Sequence, residues 1–356
     1  MSGALVQVVA KGAQDLYIQS NLKQLNYYSR YTQFNNFSNQ PVRLQFNSPT
    51  PESRTVIKID RIADLITYIW LEGTNISDSL HGTTFSLYIG GQLIDSQTYS
   101  FMADIWQIYM AETNSKATAI NNAISKTDSN FFPLHFWFCD HGMFLPLVAL
   151  QYYQVELHIN WGLTALPADL KVLGNFVLLD TPERQFISSR KLEFLITQVQ
   201  KLPSTLTTDG IYNLRTLNHP VKAIFFGFGT PLGAMIDTET WTFDSVEMAL
   251  NQHDIFTDMS PTYMHTVQTY YNTDYGRVNF LNSTGCPAYT RFFMYSFGNR
   301  VNSYDITGTC NFSRISSARM LIKGLNNPTG LTIDFYGVNY NILRVENGMC
   351  GLLFSN

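Results

Sequence analysis

The sequence predicts an all-β fold made of two consecutive β-sandwiches. Three observations carry that expectation. Apolar residues recur with period two through much of the chain, as they do in strands with one buried face. Aromatic residues make up 14%, with 25 Phe and 20 Tyr, and aromatics favour strands. The chain has 356 residues, where one sandwich of this kind needs about 100–200.

Taken in order, Pro41 to Pro51 reads as a polar, proline-bearing loop, and Val56, Ile57 and Ile59 mark a strand after it. Phe85, Leu87 and Ile89 alternate ahead of a Gly90-Gly91 turn. Phe101, Ile105, Ile108 and Tyr109 recur at helical spacing, with Ser100 as the expected N-cap. Tyr153, Val155, Leu157, Ile159 and Trp161 alternate with Gln154, Glu156, His158 and Asn160. That pattern predicts a strand with one apolar face and one solvent-facing polar face. The strand Val172–Leu179 ends the first half, and Asp180-Thr181-Pro182-Glu183 opens a short connecting turn of helix. In the second half, Ala223–Phe228 and Arg291–Phe297 are apolar runs and read as more fully buried strands. Ser260-Pro261 is an N-cap followed by proline at the first helical position, and Met264, Val267 and Tyr271 mark one face of the helix. Leu331, Ile333 and Phe335 alternate near the C-terminus. Each half thus carries one helix, near 100–113 and near 260–271. That matching layout suggests an internal repeat of structure, although no sequence repeat accompanies it.

Composition narrows the function. The net charge is -4, with 23 Lys+Arg against 27 Asp+Glu, so no basic surface for nucleic acid is expected. Charged residues are 14%, where about 25% is usual; so sparse a charge suits a surface covered by partners. No uncharged apolar stretch is long enough to span a bilayer. Phe131 to Leu150, the nearest approach, is broken by Asp140, His141 and two prolines. The first residues, Met1 to Gln14, do not read as a signal peptide. Cys139, Cys286, Cys310 and Cys350 form no CxxC pair and read as free, mostly buried thiols of a reducing compartment.

No GxSxG, HExxH or Walker A motif occurs. Gly227-Phe228-Gly229 lacks the third small residue and the βαβ setting of a dinucleotide site. Glu156 and His158, two apart on one strand, could seed a cupin-like metal site with His135 or His141, but the strand supplies two ligands where three are needed. We therefore expect no catalytic, cofactor-binding or metal residue. The sequons at Asn36, Asn75 and Asn282 are candidate glycan acceptors, and a fourth, Asn311, lies beside an expected strand. A carbohydrate-binding jelly-roll lectin, stacking sugars on Tyr and Trp, is the alternative of a different class.

Several longer blocks are more specific. They are Leu5-Val6-Gln7-Val8-Val9-Ala10-Lys11-Gly12-Ala13-Gln14-Asp15, the Tyr-rich stretch Tyr27–Phe37, and Ile89-Gly90-Gly91-Gln92-Leu93-Ile94-Asp95 followed by Trp106. Then come Pro133-Leu134-His135-Phe136-Trp137-Phe138, Leu145-Pro146-Leu147-Val148-Ala149-Leu150-Gln151-Tyr152 and Leu178-Leu179-Asp180-Thr181-Pro182-Glu183-Arg184. The C-terminal part adds Tyr295-Ser296-Phe297, Asn311-Phe312-Ser313-Arg314-Ile315, Asn339-Tyr340-Asn341-Ile342-Leu343-Arg344 and Gly348–Asn356. In this order they resemble the major capsid proteins of nucleocytoplasmic large DNA viruses, the group of algal viruses, iridoviruses and giant viruses.

The resemblance implies two consecutive eight-stranded jelly rolls, a double jelly roll, with a few short helices in loops. It divides the chain into an N-terminal arm (1–36), a first jelly roll (37–180), a linker (181–190) and a second jelly roll (191–356). It implies a structural protein, not an enzyme, without cofactors. The expected assembly is a homotrimeric, pseudo-hexagonal capsomer that tiles the icosahedral shell of a double-stranded DNA virus. The expected partners are copies of the chain itself and neighbouring capsomers. Minor capsid proteins on the inner membrane side would meet the arm, and host surfaces would meet the outer loops; no direct nucleic-acid contact is expected. The expected location is the virion, assembled in the host cytoplasm. Two departures stand out. The chain is short for the family, so its outer loops should be reduced. Ile306-Thr307-Gly308-Thr309-Cys310 also replaces the usual Pro-Ser-Gly ahead of Asn311. The shortness leaves open a minor or vertex-associated capsid relative.

Overall fold

The computed structural model describes residues 3–15, 34–111, 113, 116, 130–140, 142–203, 205–206, 210–229, 243–273, 292–325 and 332–354. The chain forms two units, Met1–Asn36 and Phe37–Asn356. In the first, Gly3–Val9 is a short helix whose side chains from Ala4 to Val9 are all exposed.

The second unit begins with eight strands: β1 (Phe37–Leu44), β2 (Arg54–Ile59), β3 (Leu65–Glu72), β4 (Thr84–Ile89), β5 (Gln92–Thr98), β6 (Phe131–Pro133), β7 (Val155–Asn160) and β8 (Lys171–Leu179). They make two four-stranded antiparallel sheets, ordered β1-β8-β3-β6 and β2-β7-β4-β5. This interleaving of sequence-distant strands is a jelly roll. Val155, Leu157 and Ile159 of β7 point inward, as their alternation predicts, onto Phe85, Leu87 and Ile89 of β4. β4 and β5 are joined at Gly90-Gly91, both at positive φ. A side chain at Gly90 would collide with the Tyr153 ring. Pro41, expected in a loop, lies inside β1 opposite Asn175. The strand tolerates it because β1 is an edge strand.

The helix Thr181–Ser189 follows, with the Asp180 carboxylate accepting from Thr181 N–H at 2.7 Å. Arg184 fixes this helix to the preceding sheet, its Nε 2.8 Å from the buried Asp64 carboxylate.

The strands then repeat. β9 (Leu192–Lys201), β10 (Thr205–Leu206), β11 (Gly210–Asn213), β12 (Pro220–Gly229), β13 (Ser245–Leu250), β14 (His253–Met259), β15 (Phe292–Ser296), β16 (Cys310–Asn311), β17 (Ala318–Lys323), β18 (Thr332–Glu346) and β19 (Met349–Leu352) form two further sheets. One is ordered β10-β18-β12-β15, with β9 and β19 also on β18 and β16 on β12; the other is β11-β17-β13-β14. Counting β9 and β10 as one interrupted strand, with β16 and β19 as short additions, this is the strand order of the first half. The fold is a double jelly roll, and the repeat expected from helix placement is present in the topology.

Each roll has its own apolar core. β18 links them. Its Ile333 and Phe335 lie in the second core, while Leu343 and Val345 lie in the first. Between them, Tyr336 and Val338 join a third cluster at the seam of the two rolls.

Candidate assembly surfaces

Among the described residues no three His, Cys, Asp or Glu side chains are grouped to hold a metal. Surfaces between sheets, rather than a catalytic cleft, are the notable features.

The first is the seam between the rolls, where β5 runs beside β9. Asp95 is buried, and its Oδ1 accepts from the N–H groups of Ser96 and of Val199 across the seam, both at 2.9 Å. Its Oδ2 accepts from Gln97 Nε2 at 2.6 Å. Burial pushes the Asp95 carboxyl up to about 6, against the opposing pull of these three bonds. Gln198 donates to Ile94 O and accepts from Asn341 Nδ2, while Gln200 donates to Asn339 Oδ1 at 2.8 Å. Buried amides thus bond one another and the facing backbone, as burial demands.

The second is a docked helix. Phe101–Met110, between β5 and β6, is a wide helix whose exit N–H, on Ala111, bonds Trp106 O five residues back. Its first N–H is accepted by Thr98 Oγ1 at 3.3 Å. Ser100, the expected cap, makes no cap bond because it already has helical dihedrals. Phe101, Ile105 and Tyr109 lie on the outer face of the second roll, against Ala223, Phe225, Phe292, Met294, Tyr336 and Val338. Tyr109 Oη donates to Phe292 O at 2.6 Å. This covered outer face explains the unbroken apolar run of β12. Ile224 and Phe226 face the second core, while Ala223 and Phe225 face the helix.

The third is a groove that no described residue fills. The corresponding outer face of the first roll, on β3 and β6, borders an apolar cavity of about 430 Å³. Tyr68, Trp70, Phe131 and Pro133 line it, with Trp106 and His135, whose rings stack at 3.6 Å. Burial, then the Lys116 charge, pushes His135 down to about 3, so it is neutral at ordinary pH.

The fourth is an apolar end. Phe37, Ile62, Leu178 and Phe186 are exposed near the Asp64–Arg184 pair. Leu93, Tyr152 and Met349 are also exposed; Tyr152 N–H bonds Gly348 O of the β18–β19 turn at 2.9 Å, and Leu352 N–H of β19 bonds Gln92 Oε1 of β5 at 3.3 Å. Exposed apolar groups clustered in this way mark contact surfaces.

The residues singled out in the sequence fall as follows. Glu156 and His158 do share a face, with Nε2 2.9 Å from Oε2. His158 is not solvent-facing, however. It is 7% exposed, bonded also to Arg54 and stacked on Tyr88 at 4.1 Å. Both ring nitrogens are engaged, so the pair is a structural cross-strand network. His135 stacks on Trp106, and His141 lies outside the described residues. Asn36 and Asn75 are exposed; Asn282 lies outside the described residues. Asn311 is exposed, with Oδ1 accepting from Ser313 N–H at 3.1 Å. Cys139 and Cys350 are buried free thiols, each pushed up to about 12 by burial; Cys310 is half-buried, and Cys286 lies outside the described residues. On the helix after Ser260, Met264 is buried but Tyr271 is 74% exposed. The wide turn from Tyr263 to Val267 rotates the buried face onto Met264, His265, Gln268 and Thr269. The seam amides and the groove were not foreseen. Their only signal in the sequence is polar or aromatic residues at the outward positions of strands.

Comparison with known proteins follows these surfaces. A family described as "Large eukaryotic DNA virus major capsid protein" matches residues 183–351, and one described as "Major capsid protein N-terminus" matches residues 25–169. The major capsid protein of Pyramimonas orientalis virus is 30% identical over all of both chains. That of Paramecium bursaria Chlorella virus 1 is 28% identical, again over all of both. Among solved structures, PBCV-1 VP54 superposes with a TM-score of 0.76 at 22% identity, over 93% of this chain and 100% of VP54. The Faustovirus major capsid protein gives 0.71 at 10% identity, over 96% of each chain.

Proposed function

Because this chain belongs to the major capsid proteins of large eukaryotic DNA viruses, we propose that three copies form a pseudo-hexagonal capsomer and that capsomers tile an icosahedral outer shell. Membership makes it a structural virion component and not an enzyme. The observation that carries the trimer is the repeated roll. Two rolls of one strand order sit side by side in each chain, so three chains supply six similar blocks around an axis. Light scattering coupled to gel filtration tests it: three chains of 40.5 kDa give a particle of about 120 kDa. A persistent monomer at assembly concentrations overturns it.

The same reading assigns 1–36 to an arm, 37–180 to the first roll, 181–190 to a linker and 191–356 to the second roll. A seven-residue exposed helix is unstable alone, so the arm orders against minor capsid proteins on the inner side of the shell. Limited proteolysis of free capsomers should remove residues 1–15 quickly, whereas full protection in solution refutes this. Assembly is assigned to the host cytoplasm and host contact to the outer loops; biotinylation of intact particles confined to core strands contradicts the latter. Any glycan is assigned to the sequons at Asn36, Asn75 or Asn282, and peptide mapping of particles locates it.

A further inference from the structure

We propose that the helix of the second roll, Tyr263 to Asn272, docks into the apolar groove of the first roll of a second copy of this chain, as the first roll's helix docks within the chain. The proposal rests on the capsomer reading and names the surfaces that close it.

The two helices occupy the same place in the repeat, between β5 and β6 in the first roll and between β14 and β15 in the second. Both contain a wide turn. Their inward anchors match: Met102 lies in the first core and Met264 in the second. Aligned on these methionines, Phe101, Ile105 and Tyr109 fall on Tyr263, Val267 and Tyr271. The first stripe is the one buried against the second roll's sheet. In the second stripe Tyr263 and Val267 are half-buried and Tyr271 is 74% exposed, with Tyr270 beside it equally exposed. An aromatic–aliphatic–tyrosine stripe is thus covered in one roll; in the other Tyr263 packs on its own core and the Tyr271 end is open.

The receiving faces match as well. In the docked case the floor is β12 and β15, where Phe225 pairs with Met294 and Gly227 with Phe292. In the first roll β3 and β6 hold the same positions in the sheet order, with Trp70 paired to Pro133 and Glu72 to Phe131. Trp70, Pro133 and Phe131 therefore stand where Phe225, Met294 and Phe292 stand, and they line the cavity of about 430 Å³. Within one chain the second roll's helix lies beside the docked helix, with His265 Nδ1 3.0 Å from Tyr109 Oη, and no described residue fills the groove, so a second copy is the occupant that the repeat supplies. Each contact runs from a second roll to a first roll, a head-to-tail interface that closes into a ring when the rotation permits. The Tyr109 bond to Phe292 O sets the expected counterpart: Tyr271 Oη donating to Phe131 O of the neighbouring copy.

Tyr271→Arg places a charge in an aromatic groove and should weaken trimer association at least about a hundredfold. As Tyr271 is exposed in the free chain, the thermal melt of the separated chain should not change. Disulfide trapping gives a second readout that does not depend on weakening the trimer. Val267→Cys with Trp70→Cys should yield covalently linked chains on oxidation, whereas Val56→Cys, on an outward strand face, paired with Trp70→Cys should not. A Tyr271→Arg protein that remains trimeric without trapping overturns the docking and leaves the trimer standing. A wild type that stays monomeric, with the Val267→Cys, Trp70→Cys pair untrapped, overturns both.

Discussion

The two rolls share one strand order but use their last strand differently. In the first, β8 has nine residues and serves its own sheet; its side chains reach only the first core. In the second, β18 has fifteen residues and contributes to both cores and to the seam between them. Fold topology alone therefore does not decide whether two repeated modules behave as beads on a string or as one body. Here the length of a single strand adds to the docked helix and the seam bonds: the extra residues of β18 carry Leu343 and Val345 into the neighbouring core.

The sharpest way to break this comparison is Leu343→Asp. The residue is fully buried, and an unpaired charge there should cost about 4 kcal/mol or more. Although Leu343 belongs to the second roll's sheet, calorimetry should show both rolls destabilised in a single transition. A second roll melting normally would show that the modules are independent. Next come the cores themselves. Phe85→Ala in the first roll and Phe226→Ala in the second each remove a fully buried ring, and each should cost about 3–5 kcal/mol in denaturant melts. A much cheaper change in one roll would mark that core as the looser.

The seam gives a pH-dependent test. The folded chain raises Asp95 from 3.8 to about 6, so it binds that proton more tightly than the unfolded chain does. The associated stability is present below about pH 4 and is lost as pH rises to about 6 and beyond, by about 3 kcal/mol in total. Asp95→Asn should flatten stability across that window, and an unchanged profile assigns the proton elsewhere. The smallest expected effect is at the docked helix. Tyr109→Phe keeps the ring but removes the bond to Phe292 O and the contact with His265 Nδ1, for about 1–2 kcal/mol. Hydrogen exchange should show the change at the helix before anywhere else.

Local pattern made some elements plain. The alternation Val155, Leu157, Ile159 yielded β7, and the run Ala223–Phe228 yielded a strand with two buried faces. What lay hidden depends on who sits opposite. His158 looks solvent-facing until Arg54 and Tyr88 arrive from other strands. Asp95, Gln198, Asn339 and Asn341 look like outward polar positions, because a strand's own sequence does not distinguish water from a second roll's amides. Straight helical spacing puts Tyr271 on the buried face, and the wide turn moves it off. The assembly reading was legible through resemblance rather than through any single residue, and the groove that supports it emerges only when two halves of the chain are superposed strand by strand.

The reach of β18 also orders events in time. The first roll's core includes Leu343, Val345 and Cys350, so a nascent chain that has emitted every strand from β1 to β8 still has an unfinished first roll. It stays unfinished until residues 343–350 leave the ribosome. A prematurely terminated chain therefore lacks part of its first core as well as its last strands, and defective subunits are marked by exposed apolar surface before a shell can incorporate them.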